Sequence, residues 1–129
     1  MGRRSNYPSG VKQKKIMEIV KKGITRTELK AMAEKMFGNL VKAVVDVEKG
    51  IMAVNGELHA DGQALLLEEG SKQEDLWGIN LYPDKEGEDF LEFDSVINIR
   101  PSQQNRSRGV DNPETRKIIL EVVNKLIEN

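Results

Sequence analysis

The architecture of this chain follows most directly from one segment, Val41-Lys-Ala-Val-Val-Asp-Val-Glu-Lys-Gly-Ile-Met-Ala-Val54. Its first half alternates as a strand does, and one face carries the apolar residues Val41, Ala43, Val45 and Val47. A turn-forming triplet ending in Gly50 follows, and then a second apolar run, Ile51–Val54. Two extended runs joined by a short turn with glycine predict a β-hairpin.

A helix is predicted on each side of the hairpin. Before it, Thr25-Arg-Thr-Glu28 matches a capping box, and Gly38 stands where a helix ends in a left-handed residue. Near the C-terminus, Asp111-Asn-Pro113 is typical of a helix start. Apolar residues at helical spacing follow each start: Leu29, Met32, Ala33, Met36 and Phe37 in the first helix, and Ile118, Ile119, Val122, Val123, Leu126 and Ile127 in the second.

The segment between the hairpin and the next strand has two interpretations. We favour a short helix over residues 62–69, with Asp61 as its N-cap and Gly70 ending it. Leu65-Leu-Leu67 could equally form a buried strand.

Three further strands are predicted, at residues 16–20, 75–82 and 90–100. The last is the longest. If the last two pair with their apolar faces together, Gly78 and Asn80 share a face with Asp94 and Asn98. Gly78 would then leave room for another group to approach.

The predicted fold is a single α+β domain over residues 14–129, preceded by a disordered tail at 1–13. The order of elements is β-α-β-β-(α)-β-β-α. We expect a mostly antiparallel sheet with two to three helices covering one of its faces.

The amino-acid composition excludes several classes of chemistry and indicates where the protein is found. The 129 residues contain no cysteine, so disulfides, thiol nucleophiles and Cys-ligated zinc are excluded. No apolar run approaches the roughly 20 residues that span a bilayer, and the polar start lacks the apolar region of a secretory signal. We therefore expect a cytoplasmic protein with no membrane partner.

Charge is segregated along the chain although the formal net charge is only −1. Residues 1–42 carry eleven basic and three acidic side chains, whereas residues 43–94 carry three basic and fourteen acidic. Nucleic acid is not an expected partner at a pI near 5.9. Opposite patches could instead pair two copies of the chain or bind another protein.

The first functional hypothesis is an anion site in the loop that leads to the last helix. Ser102-Gln-Gln-Asn-Arg-Ser-Arg-Gly109 follows the strand ending at Arg100. Arginine offers paired donors and a helix start offers unpaired N–H groups, so together they suit a phosphate or carboxylate. The predicted binding residues are Asn80, Asn98, Arg100, Asn105, Arg106, Ser107 and Arg108. The alternative is a solvated loop, with Arg100 paired to Asp94 or Glu92.

Metal or acid–base chemistry is a second hypothesis. Histidine with carboxylates suits Mn, Fe or Zn, and the candidates are His59, Asp61, Asp75 and Asp94. They match no metal-ligand spacing such as HExxH, so the alternative is a hydrogen-bonded histidine. Nucleophilic catalysis by Ser71 or Ser95 is not favoured because neither lies in a Gly-x-Ser-x-Gly turn.

Three strings, at residues 42–61, 70–83 and 92–109, carry a family likeness. They begin Lys42-Ala-Val-Val-Asp46, Gly70-Ser-Lys-Gln-Glu74 and Glu92-Phe-Asp-Ser-Val96. Together they resemble a family of small prokaryotic proteins known only as a domain of unknown function. The resemblance covers about residues 16–127 and implies an intracellular protein. It implies no activity, no cofactor and no catalytic residue.

Three functions follow as hypotheses. The first is a binding module for a phosphorylated or acidic small molecule. The second is a protein-interaction or self-assembling component, with a protein partner or a homodimer. The third is a metal-assisted hydrolase.

Overall fold

The computed structural model describes residues 17–128. The predicted tail at 1–13 and the start of the first predicted strand lie outside them. The strands are β1 (Glu18–Val20), β2 (Ile24–Thr25), β3 (Val41–Asp46), β4 (Ile51–Val54), β5 (Leu76–Leu81), β6 (Leu91–Glu92) and β7 (Ile127–Glu128). The helices are α1 (Arg26–Lys35), α2 (His59–Glu68) and α3 (Pro113–Leu126).

Five strands form the main sheet in the order β1-β4-β3-β5-β6, and every neighbouring pair is antiparallel. The predicted hairpin is confirmed: β3 pairs with β4, with Val45 opposite Met52. Gly50 closes the turn with a φ of 69°, a conformation that glycine adopts without strain. β2 and β7 form a separate parallel pair. The predicted α+β class and order of elements are confirmed.

Local capping signals place the starts of both outer helices where the sequence predicts them. The helices end earlier than predicted, at Lys35 and Leu126, so Met36, Phe37 and Ile127 lie beyond them. The Thr25 side chain accepts a hydrogen bond from the Glu28 N–H, and Glu28 accepts one from the Thr25 N–H. The Asn112 side chain caps α3 by accepting a bond from the Glu114 N–H. Gly38 follows α1 with a φ of 93°.

Helices cover both faces of the sheet, so the expectation of one covered face was wrong. On one face, α1 and α3 pack over a core that includes Val45 and Ile79. On the other, Leu66 of α2 packs against Val44 and Leu76. The physical reason is that β3 is apolar on both faces, since Val44 and Val45 are both buried.

The ambiguous segment is a helix, although it begins earlier than predicted. α2 starts at His59, with Leu58 as its N-cap. Asp61 is therefore not the N-cap, and its carboxylate instead accepts a bond from the Leu58 N–H at 3.1 Å. Gly70 follows the helix with a φ of 102°, as expected of a terminating glycine.

The long strand predicted at residues 90–100 is wrong. Within this segment, only β6 is paired, to the edge of β5, and a 3₁₀ turn forms at Val96–Asn98. The Asn98 side chain accepts a bond from the Gly78 N–H at 2.8 Å and donates one to the Gly78 C=O at 3.0 Å. A side-chain amide thus satisfies the backbone groups that a longer β6 would have paired.

No helix among residues 17–128 is long and apolar enough to cross a membrane.

Replacing Asn98 with alanine should lower the free energy of unfolding by about 3 kcal/mol, because the buried polar groups of Gly78 lose their partner. Urea unfolding, followed by the fluorescence of the single tryptophan, Trp77, measures this change. Ser102→Ala is the control: Ser102 is exposed, and we expect a change below about 0.5 kcal/mol. A loss under about 1 kcal/mol for Asn98→Ala would contradict the anchoring role.

Candidate functional site

Residues 93–112 form a long connection that buried polar side chains hold in place. Asn105 is 2% exposed, and its amide nitrogen donates to the backbone oxygens of Asn98 at 2.7 Å and Gly109 at 2.8 Å. Its amide oxygen accepts a bond from the Asp111 N–H at 2.7 Å. Asn98 is fully buried and also donates to the Arg108 C=O. The hydrogen-bonding groups of these two predicted binding residues are therefore used within the protein.

Arg100 is the buried cation of this loop. One terminal nitrogen donates to the Leu76 C=O at 2.7 Å, and the other donates to the Gln73 C=O. The guanidinium carbon lies 4.1 Å from the ring centroid of Trp77, a cation–π contact. Burial lowers the pKa of Arg100 from its usual value, while the charge of Asp75 opposes that shift. The group still remains a cation, since arginine does not deprotonate in proteins.

Arg100 forms no ion pair with any residue that the structure describes. The predicted pairing with Asp94 or Glu92 is absent, because Asp94 pairs with Arg108 at 2.6 Å and Glu92 accepts bonds from Asn80 and Tyr82. The Nε atom of Arg100 is buried without a hydrogen-bond partner among residues 17–128. A buried charge normally has a partner, so Arg100 is an anomaly.

Two open pockets adjoin this loop. The first, of about 300 Å³, is lined by Gln73, Glu74, Arg100, Ser102 and Gln103. The second, of about 520 Å³, lies at the start of α3 and is lined by Trp77, Gln103, Gln104, Asn105, Asp111, Asn112, Pro113 and Thr115. We call them the Arg100 pocket and the α3 pocket. Gln103 lines both.

The remaining residues of the predicted anion site lie outside these two pockets. The Ser107 hydroxyl donates to the Asp111 carboxylate at 2.6 Å, and this bond lowers the pKa of Asp111. Arg108 is committed to Asp94. The Arg106 side chain is exposed and its backbone N–H donates to Asp111. Of the predicted binding residues, only Arg100 and Asn105 line either of these two pockets, and they line different ones.

The room that Gly78 leaves is filled by Ser95 of the same chain. A Cβ atom built on Gly78 would lie 2.6 Å from the Cβ of Ser95. The group that approaches the glycine is therefore part of the same chain.

Asn80 lies on the same face of the sheet as Gly78. Its side-chain amide nitrogen donates to Glu92 at 2.9 Å, and its amide oxygen is buried without a partner in the described part of the chain.

The metal candidates are dispersed. Asp61 bonds the start of α2, Asp94 pairs with Arg108, and Asp75 lies in a 3₁₀ turn at Gln73–Asp75. Within residues 17–128, no group of three or more His, Cys, Asp or Glu side chains could hold a metal ion. The Ser71 hydroxyl donates to Asp46 at 2.6 Å, and Ser95 caps the turn at Val96–Asn98.

His59 is a buried, hydrogen-bonded histidine. Its Nε2 lies 2.8 Å from the Ile79 C=O, which fixes the proton on that nitrogen. Burial of the ring lowers the pKa of His59 below 6.5, and the charge of Lys42 lowers it further. The Ile79 bond and the Asp94 charge oppose the shift without cancelling it.

Sequence reasoning missed Gln73, Glu74, Ser102 and Gln103 as site residues. The first two lie in a turn that reaches Arg100 across 27 residues of chain. No local sequence pattern connects this turn to Arg100. Arg100 donates to the backbone carbonyls of Gln73 and Leu76, and every residue type has such a carbonyl, so the sequence gives no sign of the contact.

A family model described as a protein of unknown function, DUF5674, matches residues 18–126. The chain belongs to this family. The resemblance to a domain of unknown function is thereby confirmed. No curated protein and no solved structure matches the chain.

His59 should make folding weaker in mild acid. Its pKa is lowered in the folded state, so the unfolded chain binds more protons as the pH falls through about 6.5, and the free energy of unfolding decreases there. His59 is the only histidine, so its ring-proton NMR signals can be followed without ambiguity. We expect a titration midpoint below 6.5 in the folded protein. A midpoint at or above that value would contradict the burial argument.

Proposed function

We propose that this protein is a cytoplasmic binding module for a small phosphorylated or acidic ligand, and that the anionic group of the ligand binds in the Arg100 pocket. One observation carries the proposal: Arg100, a residue that is only 8% exposed, forms no ion pair among the described residues, yet lines an open pocket.

The electrostatic argument starts from the cost of the buried cation. Removing a charge from water is unfavourable by several kcal/mol unless an opposite charge or hydrogen bonds compensate it. Two backbone carbonyls and the Trp77 ring compensate in part. A guanidinium has five N–H donors, and the two carbonyls take two of them. Asp75 acts on Arg100 only at longer range, and an anion in the pocket would supply the contact ion pair that no described carboxylate makes.

The other lining groups fit an anion in part. Ser102 offers a hydroxyl donor and Gln73 an amide donor. The Gln103 amide nitrogen donates to the Glu74 C=O at 3.1 Å and steadies the rim of the pocket. Glu74 is exposed and negatively charged, so it weakens anion binding. We therefore expect the pocket to bind anions with modest affinity, and we expect the negative charge of Glu74 to limit that affinity.

A purely structural Arg100 is the competing interpretation, since the side chain joins two segments of backbone. Changing Arg100 itself cannot separate the two interpretations, because either one predicts a loss of stability. Changes on the exposed rim of the pocket can, because they leave the two carbonyl bonds intact.

Glu74→Gln should tighten the binding of inorganic phosphate about two- to threefold, because it removes a like charge from the exposed rim of the pocket, and exposed charge pairs contribute roughly 0.2–1 kcal/mol. Isothermal titration calorimetry at low ionic strength, where screening is weakest, measures this change. Glu88→Gln is the matched control: it makes the same change in net charge at an exposed residue outside the Arg100 pocket. Equal effects of the two variants, or no binding by any form, would overturn the proposed site.

A second candidate function is association through an apolar surface on the same loop. Val96 is 61% exposed and Ile99 41% exposed, and both lie on a backbone that Asn98 fixes. Large apolar side chains on a rigid backbone favour association, because little further conformational freedom is lost on binding.

If this surface joins two copies of the chain, sedimentation velocity should show a dimer. The double variant Val96→Ser, Ile99→Ser should then sediment as a monomer, because the contact loses its apolar area. Ile118→Ser, at a residue 39% exposed on α3, is the control and should remain dimeric. A wild-type monomer at millimolar concentration would contradict self-association through this loop.

A further inference from the structure

We propose that the ligand is a phosphorylated sugar or polyol, with its phosphate in the Arg100 pocket and its hydroxyl groups in the α3 pocket. The inference rests on the proposed function and extends it from an anionic group to a class of molecule.

The two pockets adjoin each other on the surface of the loop. Gln103 lines both of them. Arg100 lies against the Trp77 ring, and Trp77 lines the α3 pocket. A ligand whose phosphate meets Arg100 can therefore place its remaining atoms across Gln103 and against the start of α3.

The lining of the α3 pocket differs in chemistry from that of the Arg100 pocket. It contains no cationic side chain. Its polar groups are one carboxylate, Asp111, together with the amides of Gln104 and Asn112 and the hydroxyl of Thr115. Asn105 contributes little, because its amide is fully used in backbone bonds.

These groups suit hydroxyls. A carboxylate only accepts hydrogen bonds, whereas a side-chain amide both donates and accepts them. A hydroxyl also does both, so neighbouring hydroxyls can donate to Asp111 and accept from an amide. The Asn112 oxygen already accepts the Glu114 N–H, but its NH₂ group makes no hydrogen bond within the described chain.

Two other classes of phosphorylated ligand fit less well. A nucleobase usually stacks on an exposed aromatic face, and Trp77 is only 6% exposed with Arg100 over its ring. A second phosphate would meet the carboxylate of Asp111, which is ionised at neutral pH at its ordinary pKa, and the bond from Ser107 lowers that pKa further. The favoured ligand thus has one phosphate and several hydroxyls.

The test compares the calorimetric affinities of inorganic phosphate, glucose 6-phosphate, glycerol 3-phosphate and AMP. At least one of the two hydroxyl-bearing monophosphates, glucose 6-phosphate and glycerol 3-phosphate, should bind about tenfold more tightly than inorganic phosphate, the effect of one or two net hydrogen bonds. AMP also carries ribose hydroxyls, but its base finds no exposed aromatic face, so AMP should bind less tightly than the better of those two ligands.

Two variants of the α3 pocket make the test specific. Thr115→Val removes a hydroxyl at nearly constant volume, and Asn112→Ser removes an amide while keeping a residue that caps helices well. Both should reduce the advantage of the better hydroxyl-bearing ligand by about threefold or more and leave the affinity for inorganic phosphate unchanged. Glu74→Gln should strengthen the binding of both ligands by the same factor, because it acts on the phosphate alone.

The outcomes separate the two proposals. If inorganic phosphate binds as tightly as both hydroxyl-bearing monophosphates, or if AMP binds most tightly, the sugar or polyol class is wrong and the anion site stands. If no phosphorylated compound binds, the proposed function fails and this inference fails with it.

Discussion

The side chain of Asn98 occupies the place beside β5 that a paired strand would otherwise fill. It exchanges two hydrogen bonds with the backbone of Gly78 and is fully buried while doing so. Because Gly78 has no side chain, Ser95 can lie directly against it. The chain beyond β6 is therefore free to leave the sheet and form a loop without exposing the backbone groups of Gly78. The positions of Arg100, Asn105 and both pockets depend on that departure.

Buried amides make the loop rigid, and this rigidity changes the energetics of the site. Asn105 joins the backbone at Asn98 to that at Gly109 and Asp111, so the loop is ordered before any ligand arrives. Ordering a flexible loop on binding would cost roughly 1–2 kcal/mol for each residue fixed. A loop that its own polar side chains hold in place loses this conformational entropy during folding, so ligand binding does not have to offset it. A small pocket with few polar contacts could then bind with measurable affinity.

Sequence patterns correctly predicted those parts of the fold that depend on residues close together in the chain. The Thr25 and Glu28 capping box and the Asn112-Pro113 helix start were correct, because each depends on residues no more than three positions apart. Residues 90–100 also alternate between apolar and polar, and local reasoning therefore extended a strand through them. The bond that ends the pairing joins Asn98 to Gly78, twenty residues away, and alternation contains no information about it. The same limit applied to the sheet face beneath α2, because the contact that buries Val44 joins it to Leu66, 22 residues along the chain.

The predicted site was limited in a different way. Residue type drew attention to Arg100, because a guanidinium beside a polar loop can bind an anion. However, type alone could not distinguish it from Arg106 and Arg108, which lie on the same loop. Arg108 pairs with the carboxylate of Asp94, and Arg106 is exposed to water. Neither cation has lost its hydration without gaining a partner, so neither would gain as much from a bound anion. Arg100 is removed from water and contacts carbonyls and an aromatic ring, and although the charge of Asp75 acts on it, no described carboxylate lies within ion-pair distance. Burial without a counter-ion is a property of the fold rather than of the residue, and it is what distinguishes this arginine from its neighbours.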